Sequence, residues 1–84
     1  MIVTRQHLEN LVQTKEFYKN KFATICVMVL KSGYCIFGIS EQNFIANLEE
    51  EGLQEIIAEN RAFDELRKLE SYRLKVLHWE ENAN

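Results

Sequence analysis

Apolar and polar positions along the chain fall into three regimes. Around residues 5–14, Leu8, Leu11 and Val12 recur at three- and four-residue steps, which predicts a short helix with one narrow apolar face. Thr4 stands where its hydroxyl can cap that helix by accepting from an early backbone N–H. Residues 22–31 (FATICVMVLK) and 34–39 (YCIFGI) are dense in β-branched and aromatic types and read as two strands. Ser32-Gly33 lies between them, and a glycine there tolerates the positive φ of a tight hairpin turn. From Phe44 onward the apolar residues Phe44, Ile45, Leu48, Leu53, Ile56, Ile57, Phe63 and Leu66 recur with helical spacing, capped by Ser40 or Asn43. Gly52 interrupts this run and marks a kink or a close backbone contact. Leu69, Tyr72, Val76 and Trp79 continue near one stripe, and the terminal EENAN is expected to fray. Phe17 and Tyr18 sit in a lysine-rich link and are expected to dock it on the core.

A two-residue turn fixes a register in which Lys31 faces Tyr34, Leu30 faces Cys35, Val29 faces Ile36 and Met28 faces Phe37. One face then holds Thr24, Cys26, Met28, Leu30, Cys35, Phe37 and Ile39, and the other holds Ile25, Val27, Val29, Tyr34 and Ile36. Both faces are apolar. A lone antiparallel hairpin in a small domain ordinarily has one wet face, so this ribbon needs a cover on each side. Helices supply one. The N-terminal segment or a second subunit supplies the other, which predicts a homo-oligomer, a dimer or higher. The expected fold is one α+β domain of 84 residues: a short N-terminal helix, an antiparallel β-hairpin and a long C-terminal helical region, kinked or split near 67–71.

The size adds a reason for association. A chain of this length buries only about 60–65% of the surface its unfolded form exposes, and small domains without staples often gain stability by oligomerising. There is no proline, so helices are free to run long. The net charge of −3 lacks the basic footprint of a general nucleic-acid binder, which argues against nucleic acid as a partner. Charge is nonetheless uneven. Residues 41–60 carry six glutamates and no lysine or arginine, whereas residues 61–75 carry Arg61, Arg67, Lys68, Arg73 and Lys75 against three acids. Solvated helix faces of opposite sign are the plain reading, and an oriented binding surface is the alternative. MIVTRQHLEN lacks the apolar core of a signal peptide and no run approaches a membrane span of ~20 residues, so a soluble intracellular chain is expected.

Candidate chemistry is sparse. In the register above Cys26 and Cys35 share a face but stand roughly 13 Å apart, beyond the ~7 Å that a disulfide tolerates. Their spacing, with no accompanying histidine, is not a zinc pattern, and no cofactor is implied. Both read as core thiols. His7 and His78 match no motif and read as surface or boundary side chains. Ser40 lacks a nucleophile-elbow context. The run Glu49–Glu51 is too short to trace a phosphate path. With no phosphate loop or dinucleotide fingerprint either, an enzyme is disfavoured. Tyr34, Tyr72 and Trp79 read first as core aromatics. With Arg67, Glu70 and Arg73 they are also the candidate partner- or ligand-binding residues, because aromatics beside arginines build stacking pockets and protein hot spots.

These stretches resemble a small phage protein family typified by the products of gene 49 of phage N4 and gene 66 of phage Sf6. TICVMVLKSGYCIFGIS resembles its T-x-C-V-x-x-L-x-N-G-x-x-x-x-G-x-S hairpin, Asn43-Phe44 its N-F after the hairpin, and IAENRAFDELRKLESYRLKVL its ending, where Leu69, Glu70, Tyr72 and Leu74 match. Ser32 stands for the turn asparagine, Arg67-Lys68 for a Trp-Pro and Ser71 for a glycine. Losing the Trp-Pro leaves open a continuous last helix. The resemblance carries no activity and no catalytic residues. It implies a phage gene acting in the cytoplasm of a bacterial host, and by context a non-enzymatic accessory protein that binds and inhibits a host protein, as a counter-defence factor does. Two alternatives remain open: an oligomeric sponge that sequesters a small nucleotide signal between subunits, and a nucleic-acid-associated regulator using the basic segment 61–75.

Overall fold

The computed structural model describes residues 3–41 and 52–83. The order of elements is α1 (Arg5–Leu11), β1 (Val12–Lys19), β2 (Ala23–Leu30), β3 (Cys35–Glu41) and α2 (Leu53–Asn82). The fold is α+β, as expected, but the sheet has three antiparallel strands in the order β1-β2-β3 rather than two. Phe44, Ile45, Leu48, the Asn43 cap and the Glu49–Glu51 run lie outside the described residues.

Thr4 caps α1, its hydroxyl accepting from the His7 N–H at 3.1 Å. The helix then stops at Leu11, three residues short of the expectation, because Val12 turns extended (φ −87, ψ 127). The stretch expected as a lysine-rich link is β1. Its pairing with β2 is irregular between Val12 and Thr14, where Gln13 is an extra residue. Such a bulge flips which side chains face inward. Val12 shares a side with Leu30, yet past the bulge Lys15, Phe17 and Lys19 share that side with Met28, Cys26 and Thr24. Asn20 closes the β1–β2 turn, its Oδ1 accepting from the Phe22 and Ala23 N–H groups at 2.7 and 2.8 Å.

The β2–β3 register differs from the expected one by a single position. Val29 faces Cys35, Met28 faces Ile36, Val27 faces Phe37 and Cys26 faces Gly38. The turn holds residues 31–33 rather than Ser32-Gly33 alone. Leu30 N–H donates to the Tyr34 carbonyl and Gly33 N–H to the Leu30 carbonyl, both at 2.8 Å, with Gly33 at φ 93. This is the three-residue loop with a left-handed glycine. A one-residue slip moves a whole strand's side chains to the other face. Ile36, Gly38 and Ser40 are therefore buried, and Cys35, Phe37 and Ile39 point outward. Cys26 and Cys35 lie on opposite faces, Cys26 buried and Cys35 exposed, and both are free thiols.

The core forms between the inner sheet face and α2: Leu8, Cys26, Met28, Ile36, Ala58, Ala62, Phe63 and Leu66. Ala58, Ala62, Leu66 and Glu70 follow at four-residue steps along one row of α2, all buried. Larger residues of the expected stripe, Leu53 and Ile56, are exposed. Small residues are needed here because the helix passes directly over Gly38. Ser40 does not cap a helix. It is buried in β3, and its hydroxyl donates to the Gln54 side-chain oxygen. Gly52 is not a mid-helix kink but the residue that precedes α2, at φ 94. The break expected near 67–71 is absent: α2 is one helix of 30 residues, about 45 Å long. Strands of eight residues span only about 27 Å, so the C-terminal half of α2 runs past the sheet and the protein measures 57 × 23 × 19 Å.

Candidate functional site

Three surfaces are candidates. The first is the outer face of the sheet. Past the bulge, β1 gives it Thr14, Glu16 and Tyr18, β2 gives it Ile25, Val27 and Val29, and β3 gives it Cys35, Phe37, Ile39 and Glu41. Pairing arranges these in rows: Tyr18–Ile25–Ile39, then Glu16–Val27–Phe37, then Thr14–Val29–Cys35. Tyr18 and Phe37 are each 56% exposed and Ile39 47%. The N-terminal segment, expected as one possible cover, joins the sheet edge instead, and among the described residues nothing takes its place over this face. Its exposed apolar area is on the order of 400 Å², comparable to the largest patch on a typical soluble monomer, which is often functional.

The second surface is a groove of about 640 Å³ between the β2–β3 turn and the far half of α2. It brings together four of the six candidate residues, Tyr34, Glu70, Tyr72 and Arg73. Arg67 does not join them and faces Asp64 one turn back at 3.9 Å. Trp79 stands on the projecting end of α2. None of the three candidate aromatics is core: Tyr34, Tyr72 and Trp79 are all largely exposed. Glu70 is buried and doubly held. Arg73 Nη2 donates to its Oε2 at 3.0 Å, and Arg73 Nε and His7 Nε2 contact it as well. These contacts, the Arg73 hydrogen bond foremost, pull the Glu70 carboxyl down to about 2. With Lys31 and Glu80 also lining the groove, its two cations meet two carboxylates. The cationic excess that a phosphate ligand requires is missing.

The third is the flank where β3, an edge strand, meets α2. Arg61 Nη1 donates to the Ile39 carbonyl at 2.6 Å, and Asp64, Glu65 and Lys68 line the same flank. Four of the five cations in the segment 61–75 thereby meet internal partners. Arg67 faces Asp64, Lys68 contacts Glu65 at 3.2 Å and Arg73 is bound to Glu70, each three residues apart. A phosphate backbone would have to compete with all of them.

Among the described residues no cluster of three or more histidine, cysteine, aspartate or glutamate side chains could hold a metal ion, and no helix is long and apolar enough to cross a membrane. Comparison with protein-family models, curated proteins and solved structures yields no match.

Sequence reasoning missed the outer-face residues Tyr18, Phe37 and Ile39 as site candidates. The signal was the Lys31-Ser32-Gly33 sequence itself. A glycine at the third loop position fits the three-residue hairpin as well as Ser-Gly fits the two-residue one.

Proposed function

We propose that this chain is a non-enzymatic binding protein that engages another protein through the outer face of its sheet and inhibits it. In the setting implied by the phage resemblance, the target is a host protein, one of a defence system. The observation that carries the reading is the row structure of that face: aromatic and β-branched side chains on three adjacent strands, with nothing among the described residues packed over them. Exposed tyrosine and phenylalanine on a rigid sheet supply contact area at low entropy cost, the composition of interface hot spots.

The nucleotide-sponge reading ranks second. It draws on the meeting of Tyr34, Tyr72 and Arg73 in one groove, and it is weakened by the balanced charge there and by the tie between Arg73 and Glu70.

Affinity capture from a susceptible bacterial host tests the proposal, with Phe37→Ser/Ile39→Thr and Tyr72→Ser/Trp79→Ser as paired variants. The expected result is one specific protein retained by the wild type and by the α2 variant but lost with the sheet variant. Retention by the sheet variant contradicts it.

A further inference from the structure

We infer that the partner of the outer sheet face presents an apolar centre flanked by lysine or arginine side chains, and that this face does not close upon a second copy of itself. The inference rests on the reading of that face as the binding surface. Its basis is a segregation of charge across the sheet. The bulge at Gln13 turns Lys15 and Lys19 inward, where they meet Glu59 and Glu55 of α2. The same alternation turns Glu16 outward. Glu41, at the end of β3, also points outward. Among the described residues, the strands therefore place two carboxylates and no cation on the outer side, and every strand cation on the inner side is neutralised by the helix.

Glu16 is held beside Tyr18 on β1, its Oε2 accepting from the Tyr18 hydroxyl at 2.6 Å. It sits in one row with Val27 and Phe37, so a partner that covers Phe37 brings its own side chains within reach of the carboxylate. An apolar area on the order of 400 Å² is about half of the ~800 Å² per partner in a stable protein interface. Contacts at the rim must supply the remainder. A cation there gains a charge-assisted bond in surroundings that the apolar contact has dried. The outer strand positions of a second copy bring two more carboxylates and no cation, and like charges at an interface select against the pairing.

The test uses the full chain and two amphipathic helical peptides with the same leucine face, one with lysines flanking it and one with glutamates. Titrations are followed by backbone amide NMR and calorimetry at low and physiological salt. The expected result is binding of the Leu/Lys peptide with shifts centred on Tyr18, Ile25, Phe37 and Ile39, an affinity that falls as salt rises, and binding of the Leu/Glu peptide at least about tenfold weaker. The double variant Glu16→Gln/Glu41→Gln should bring the two peptides within about threefold of each other. Phe37→Ser/Ile39→Thr should abolish both. Equal binding of both peptides at this face overturns the charge inference and leaves the face as a binding surface. Absence of binding, or shifts confined to α2, overturns both. A free protein that sediments as a dimer with the outer-face amides protected also overturns the inference, since a copy then occupies the face.

Discussion

Gly38 and Ala62 lie where sheet and helix meet backbone against backbone: a methyl group on Gly38 would stand 2.4 Å from the Ala62 amide nitrogen and 2.0 Å from the Ala58 carbonyl oxygen. Both obstacles are backbone. Gly38→Ala should therefore cost about 3 kcal/mol or more, because the helix must lift off the sheet and open the core around Phe63. Chemical denaturation measures this loss. Adding Ala62→Gly should restore little, since trimming that side chain moves neither obstructing atom.

Gly33 offers the opposite case. Its φ of 93 lies in the left-handed region, yet nothing stands within 4 Å of an added Cβ. Gly33→Ala should cost only about 1 kcal/mol of backbone strain. Gly33→Asn should cost less, because asparagine tolerates that conformation. Thermal melts of the two variants check the order.

Glu70 predicts an acid limb. Its folded carboxyl is depressed from 4.5 to about 2, chiefly by the Arg73 hydrogen bond and also by His7. A depressed carboxylate contributes stability that is fully present above its unfolded value and is lost as pH falls through the folded one. The wild type should therefore lose roughly 1–2 kcal/mol between about pH 4.5 and pH 2 from this group, a figure discounted for the solvent exposure of Arg73 and His7. Glu70→Gln should be less stable at neutral pH and show a flatter acid limb, measured as Tm against pH.

The two thiols should separate kinetically. Cys35 is exposed on the outer face, whereas Cys26 is fully buried and burial pushes its thiol up. A thiolate-selective reagent should titrate one thiol per native chain quickly and the second only after denaturant is added. Two rapid thiols would contradict the register.

Local chemistry made parts of this fold legible in the sequence. Thr4 capping α1 and the β-branched run of β2 needed no knowledge of distant residues. The hairpin was legible as a hairpin, but its faces were not, because Lys31-Ser32-Gly33 accommodates two loop lengths and the choice inverts β3. Strand β1 was hidden for two reasons. Gln13 breaks its period, and Lys15 and Lys19 look solvated until Glu59 and Glu55 arrive from α2. The buried row of α2 was overlooked because Ala58 and Ala62 carry little hydrophobic signal, and their value lies in the space they leave for Gly38. Of the candidate residues, Tyr34, Glu70, Tyr72 and Arg73 do converge, but around an internal ion pair. The outer sheet face depended on the register and could not be read without it.

The stability of Phe37→Ser in the isolated protein bears most directly on whether the outer sheet face is bare and free to bind. An exposed position on β3 should lose no more than about 1 kcal/mol, mostly strand propensity, while Phe63→Ala in the core loses about 3–5 kcal/mol. A loss for Phe37→Ser as large as that for Phe63→Ala would place Phe37 inside a core or a self-interface and contradict the open face.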